Sequence, residues 1–122
     1  MREWLYLLNA TVLLTHQVDA AYWHEWEIFG LPGGVQLFLL LNLPIVALVL
    51  YGQRTLAMRR RSGVVISWLL VASGLLAAGL HSFFLLAGDR GFSLPVSLGL
   101  LIATLVLSLA QGRSLLTAAA RD

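Results

Sequence analysis

The sequence contains no cysteine and no lysine, and only 11% of its 122 residues are charged. The absence of cysteine excludes disulfides, thiolate metal ligands, covalent haem attachment and thiol redox chemistry. Soluble domains carry about 25% charged residues, so this composition argues against a water-soluble globular domain. The basic residues are all arginine, and the net charge of +2 is too small to indicate a nucleic-acid partner.

Long apolar stretches occupy most of the chain, since 59% of the residues are hydrophobic. A helix needs about 20 apolar residues to cross a bilayer core of about 30 Å, and residues 4–23, 34–51, 63–86 and 93–110 approximate that length. Short connections favour antiparallel neighbours. We therefore expect an all-α, four-span transmembrane helical bundle with up-down topology, a single integral membrane domain over residues 1–122, with the lipid bilayer as its main partner.

Arginine placement predicts the orientation of these spans. Arg90 lies alone on one side, and seven arginines lie on the other: Arg2, Arg54, Arg59, Arg60, Arg61, Arg113 and Arg121. The positive-inside rule places the arginine-rich side, with both termini, in the cytoplasm. A chain without lysine is typical of a GC-rich bacterial source, so the predicted location is the bacterial cytoplasmic (inner) membrane.

The first stretch has a competing interpretation as a signal peptide. Arg2, a short apolar run over residues 4–14 and the segment Val18-Asp19-Ala20 imitate the three parts of such a peptide. An aspartate just before the cleavage site is unusual there, so the transmembrane interpretation is preferred.

Ionisable side chains inside the predicted spans are the most unusual feature. His16 and Asp19 are three residues apart, so they share one face of the first helix. Counted from the outer ends at 1.5 Å per residue, His81 on the third helix lies about 8 Å deep and His16 about 10 Å deep. The two histidines can therefore meet in the outer leaflet. Such groups are costly in lipid and indicate a functional site.

Residues just after the first span extend this cluster. If the first helix continues outward, Trp23 and Glu27 prolong the face of Asp19, while Glu25 points away. The complete predicted ligand or proton site, opening to the outside, consists of His16, Asp19, His81, Trp23, His24, Glu25 and Glu27.

Small and polar side chains on the later helices predict close interhelical packing. Asn9 and a stripe on the fourth span are expected to form hydrogen bonds between helices: Ser93, Ser97, Thr104, Ser108 and Gln111. A small-residue face on the third span favours close approach within the bundle, or contact in a homodimer or larger membrane complex: Ser67, Gly74, Ala78 and Ser82.

Three kinds of chemistry fit the predicted site. His16, Asp19 and His81 are suitable ligands for a divalent transition metal, although no H-E-x-x-H motif is present. A histidine paired with an aspartate, here His16 and Asp19, is also suited to proton relay or general base catalysis. Asp19, Glu27 and nearby tryptophans could instead recognise a cationic lipid headgroup.

Residues 16–19 (His-Gln-Val-Asp) and the run 22–32 resemble segments of small uncharacterised four-helix bacterial membrane proteins, similar to the group named for a His-x-x-Glu-Glu motif. After His16, Asp19 and Ala20 stand where that group has two glutamates. After His24, Glu27 matches the first glutamate and Ile28 replaces the second. The resemblance implies a four-helix membrane architecture and no particular activity. Length and span count also resemble small multidrug-resistance exporters, whose essential glutamate lies deeper in the first helix than Asp19 does.

The leading hypothesis is a binding, sensing or accessory module for a small polar ligand, a lipid headgroup or a metal at the His/Asp/Glu cluster. The alternatives are a membrane-embedded enzyme with His16 and Asp19 as its acid/base pair, and a small proton-coupled transporter using the same two side chains. The sequence identifies no substrate for any of the three.

Overall fold

The computed structural model describes residues 1–120, which form helices joined by short turns. The helices are α1 (Arg2–Tyr22), α2 (Glu25–Ile28), α3 (Gly34–Ala57), α4 (Arg61–Leu86) and α5 (Pro95–Ala119). The expected all-α fold is confirmed. Arg121, which contributed to the orientation argument, and residue 122 at the end of the predicted domain lie outside the described residues.

Within the described residues, three helices are long and apolar enough to cross a membrane: α3, α4 and α5. They correspond to three of the four expected spans. The helix α1 is 21 residues long, but it is not among these three. Polar side chains within it, including Asn9, His16, Gln17 and Asp19, lower its mean hydropathy. The structure therefore supports a membrane protein with three clear candidate spans.

Helix ends differ from the predicted limits because hydropathy detects the apolar run and not the helix. The helix α3 continues to Ala57 and α5 to Ala119, past the limits expected at 51 and 110. These extensions hold buried side chains such as Thr55 and Gln111, so packing keeps them helical. The helix α5 begins at Pro95, whose fixed φ suits the first helical position.

The long helices pack side by side. The helix α5 lies against α1 and α4, α3 lies against α4, and α1 also contacts α3 and α4. Side-chain hydrogen bonds show that α1 and α5 are antiparallel. Asn9 Nδ2 donates to Gln111 Oε1 at 2.9 Å, while Ser97 Oγ donates to Asp19 Oδ1 at 3.0 Å. The expected interhelical role of Asn9, Ser97, Ser108 and Gln111 is therefore seen directly. Ser93 lies before α5 and donates to the Arg90 carbonyl, and within residues 1–120 Thr104 Oγ1 is buried without a hydrogen-bond partner.

Small residues bring α4 and α5 into close contact. A Cβ placed on Gly74 would overlap Ser108 Oγ, and it would lie 3.0 Å from Thr104 Cγ2. Ser67 and Ala78, on the same side of α4 as Gly74, are buried as well. Most of this face of α4 is therefore used inside the chain, whereas Ser82, its last predicted member, is exposed. The resulting packing fixes the position of α4, which carries one of the site histidines.

Candidate functional site

Two histidines from different helices meet in the interior. The rings of His16 on α1 and His81 on α4 have centroids 4.7 Å apart and stand edge to face at 85°. His16 is 1% exposed and His81 is 3% exposed. Imidazoles are seldom buried in contact with each other unless they share a ligand, a proton or a hydrogen-bonded partner, because each ring carries a polar nitrogen that needs a partner.

A glutamate completes this group because the chain breaks direction after α1. The helix α1 ends at Tyr22, and His24 adopts a left-handed φ of 51° before α2 starts at Glu25. The turn directs Glu25 inward, where its Oε1 lies 3.5 Å from His81 Nε2 and its side chain is only 14% exposed. The expectation that Glu25 points away required a continuous helix, and it is wrong because that helix ends.

His16, Glu25 and His81 form what we call the His/Glu cluster. One potential ligand atom from each residue lies within 4.8 Å of the other two. In a tetrahedral zinc site with bonds of about 2.0–2.1 Å, neighbouring ligand atoms are about 3.3 Å apart. The separation of 3.5 Å between Glu25 and His81 is already close to that value. The three side chains therefore have the ligand types and the proximity that a metal site needs.

The hydrogen bonding of His81 determines which of its nitrogens faces the cluster. His81 Nδ1 lies 2.8 Å from the carbonyl oxygen of Ala77, and a carbonyl can only accept, so Nδ1 carries the proton. Neutral His81 therefore presents the lone pair of Nε2 to the Glu25 carboxylate. Ligating histidines are commonly held in this way, because a backbone carbonyl fixes both tautomer and ring orientation.

The cluster contains more acceptors than donors. Within residues 1–120, His16 Nδ1 is buried and has no hydrogen-bond partner. Burial raises the pKa of the Glu25 carboxyl above its ordinary value, an effect that the nearby His81 opposes. An ionised carboxylate facing an imidazole lone pair is repulsive. A cation at this point, either a metal ion or a proton, would remove the repulsion.

Phe92 covers the two histidines and was not anticipated from the sequence. Its ring centroid lies 4.2 Å from that of His81 and 5.5 Å from that of His16. Phe92 is buried in the turn before α5 and has a left-handed φ of 62°. The only hint in the sequence is an aromatic residue within an otherwise small and polar connection. Its position limits the access of water to the rings.

Asp19 and Trp23 form a separate polar group beside the His/Glu cluster. Asp19 Oδ1 accepts a hydrogen bond from Ser97 Oγ at 3.0 Å, and Trp23 Nε1 donates to the same Ser97 oxygen at 3.4 Å. Among residues 1–120, Asp19 Oδ2 is buried and finds no partner. Ser97 was assigned only to helix packing in the sequence. The carboxylate that joins the histidines is thus Glu25, and Asp19 is held by α5.

His24 and Glu27, the other predicted site residues, lie on the surface. His24 Nδ1 is 3.5 Å from Glu27 Oε1, and both side chains are exposed. The His24 ring stacks on Trp26 with centroids 4.9 Å apart. These contacts hold the turn between α1 and α2 and place His24 outside the buried group. His24 is therefore a natural control residue for experiments on His16 and His81.

These features define a small all-helical protein with membrane-length helices and a buried cluster of two histidines and one glutamate. The model of the DUF6713 family, described as a family of unknown function, matches residues 2–118, and the chain belongs to that family. The match does not identify the His-x-x-Glu-Glu group. No curated protein and no solved structure matches the chain at a significant level.

Proposed function

We propose that the protein is a four-span integral membrane protein that binds a divalent transition metal ion, with zinc as the first candidate, through His16, Glu25 and His81. The observation that carries this proposal is the convergence of three ligand atoms within 4.8 Å. One of these atoms is His81 Nε2, whose lone pair is oriented by the hydrogen bond from His81 Nδ1 to the Ala77 carbonyl. Imidazole and carboxylate ligands suit zinc, iron and nickel.

The pattern of buried and exposed side chains on α1 supports this helix as the fourth span. Its polar side chains Asn9 and His16 are buried against other helices, so they avoid the cost of contact with lipid. The surface that α1 leaves exposed includes Trp4, Leu8 and Val18, which lipid accommodates well. We infer that four spans of alternating direction form an up-down bundle in a bacterial inner membrane, with both termini on the cytoplasmic side, because arginines on that side outnumber those on the other.

Three protein ligands leave one position of a tetrahedral metal ion open. Closed structural zinc sites use four protein ligands, whereas sites that exchange or activate a small molecule use three. Phe92 covers the same cluster. A covered site with three protein ligands would suit a binding, sensing or accessory module, or an enzyme that acts on a small molecule at the membrane.

Cobalt titration of the purified protein tests the proposal. Protein in detergent micelles is stripped with a chelator and titrated with Co²⁺, then with competing Zn²⁺. The expected result is one ion per chain with the intense visible absorption of four-coordinate cobalt, abolished by His16→Ala and by His81→Ala. His24→Asn is the matched control. Asparagine removes the imidazole and tolerates the left-handed backbone that turns Glu25 inward, so this variant should bind as the wild type does. Equal binding in His81→Ala, or equal loss in His24→Asn, would contradict the proposal.

Glu25→Gln and Asp19→Asn separate the ligand set in the structure from the set of His16, Asp19 and His81 predicted from the sequence. Glu25→Gln should weaken metal binding at least tenfold, because a neutral amide is a poor ligand for these ions. Asp19→Asn should keep the hydrogen bond from Ser97 and change affinity much less. The opposite ranking would assign the metal to Asp19.

A proton is the second candidate occupant, and the raised pKa of Glu25 favours it. A neutral Glu25 carboxyl would donate to His81 Nε2, and this pair could take part in proton transfer. The earlier candidate pair for an enzyme or transporter, His16 and Asp19, shares no hydrogen bond within residues 1–120. Infrared spectroscopy should show a protonated-carboxyl band that Glu25→Gln removes. If the site prefers zinc, zinc addition should remove the same band.

A further inference from the structure

An arginine-lined cavity lies at the opposite end of the helices from the His/Glu cluster. It has a volume of about 590 Å³ and opens where the start of α1 meets the turn between α3 and α4. Glu3 is the one acidic side chain among its lining residues. Four arginines line the same cavity: Arg2, Arg59, Arg60 and Arg61. The lining therefore carries an excess of positive charge around a concave, water-accessible space.

In the turn between α3 and α4, an arginine occupies a backbone position where glycine is the usual residue. Arg59 has a left-handed φ of 54°. Its N–H donates to the Leu56 carbonyl, and the Arg60 N–H donates to the Thr55 carbonyl, both at 2.9 Å. This hydrogen-bond pattern is the Schellman motif, whose left-handed position favours glycine. The turn itself gains nothing from an arginine, so Arg59 is present for its charge, which also adds to the arginine excess on this side of the helices.

We propose that this arginine cavity binds a phosphate group, carried by an anionic phospholipid or by free phosphate. Guanidinium groups present planar pairs of N–H donors that match phosphate oxygens. The helix α4 begins at Arg61, so its unpaired N–H groups add positive potential at the same point. The site is far from the His/Glu cluster and does not depend on metal binding there.

The two sources of phosphate differ in where they would reach the cavity. The membrane-length helix α3 ends at this turn and α4 begins there. If these helices span the bilayer, the cavity lies at the level of the lipid headgroups. A phospholipid phosphate would then enter from the side. Free phosphate or a soluble phosphate ester would enter from the aqueous phase.

Thermal unfolding of the full chain in nanodiscs tests the proposal. Phosphatidylcholine discs are compared with discs containing phosphatidylglycerol, and inorganic phosphate is titrated into the phosphatidylcholine discs. A ligand that binds only the folded state raises the unfolding temperature. Stabilisation by phosphatidylglycerol alone assigns the site to lipid, and stabilisation by inorganic phosphate assigns it to free phosphate. No stabilisation by either ligand would overturn the proposal.

Variants distinguish this site from a general effect of surface charge. Arg60→Gln should weaken phosphate binding about tenfold, the effect of one charge-assisted hydrogen bond. Arg54→Gln, which removes an exposed arginine of α3 that does not line the cavity, should leave binding unchanged. Arg59→Gly should weaken binding and also raise the unfolding temperature without phosphate, because the turn loses its strain. Equal weakening by Arg54→Gln would refute the site.

Discussion

The contact between α4 and α5 leaves no space for a side chain at Gly74, and Gly74→Ala tests how closely these helices pack. The new Cβ would overlap Ser108 Oγ and approach Thr104 Cγ2 to 3.0 Å. Ser108 cannot move freely, because Asn9 Nδ2 donates to its hydroxyl at 3.1 Å. The substitution therefore forces α4 and α5 apart or breaks the hydrogen bond from Asn9.

The expected change in the free energy of unfolding combines two destabilising effects and one stabilising effect. Overpacking of a tight contact costs about 1–3 kcal/mol, and loss of an interhelical hydrogen bond costs about 1 kcal/mol. Alanine is favoured over glycine within a helix by up to about 1 kcal/mol. We therefore expect Gly74→Ala to lower the free energy of unfolding by about 1–3 kcal/mol. His81 lies two turns further along α4, so zinc affinity should fall as well.

Unfolding with sodium dodecyl sulfate in mixed micelles, followed by circular dichroism, measures this cost. Gly79→Ala on the same helix is the matched control, because a Cβ there meets no atom within 4 Å. The control should be as stable as the wild type or slightly more stable. If Gly74→Ala is as stable as Gly79→Ala, the close packing of α4 on α5 described above is refuted.

Three further substitutions have definite expected results. Glu25→Gln should flatten the pH dependence of stability in metal-free protein. Because the pKa of Glu25 is raised, wild-type stability is highest in acid and falls as pH rises through that pKa. An unchanged pH profile would contradict the burial of Glu25. Asn9→Leu should lower the free energy of unfolding by about 1–2 kcal/mol in the same assay, because it leaves Gln111 and Ser108 without their hydrogen-bond partner. An unchanged free energy of unfolding would refute this hydrogen-bond network. Phe92→Ala should lower the free energy of unfolding by about 3 kcal/mol or more and should speed the release of zinc to a chelator. Unchanged release would show that Phe92 does not cover the site.

The helical fold could be predicted from hydropathy because apolar runs of membrane length form helices. Counting depth along two antiparallel helices placed His16 and His81 at a similar level in the outer leaflet, which allowed them to meet but did not require it. The true helix ends could not be predicted in this way, since the last turns of α3 and α5 are held by packing of buried side chains such as Thr55 and Gln111.

The third member of the cluster could not be predicted because it depends on one backbone angle. The left-handed conformation of His24 ends α1 and turns Glu25 inward, and neither helical periodicity nor hydropathy reports such a break. Phe92 is similar, because it reaches the histidines from a turn with a positive φ. Asp19 had the correct helical spacing for the site, but its hydrogen bond from Ser97 holds it toward α5.

X-ray absorption spectroscopy of zinc-loaded protein tests the central claim most directly. We expect two imidazole nitrogens and a carboxylate oxygen at about 2.0–2.2 Å from zinc, with one imidazole lost in His81→Ala and none lost in His24→Asn. A spectrum of hydrated zinc, or the same coordination in the wild type and in His81→Ala, would contradict metal binding by the His/Glu cluster.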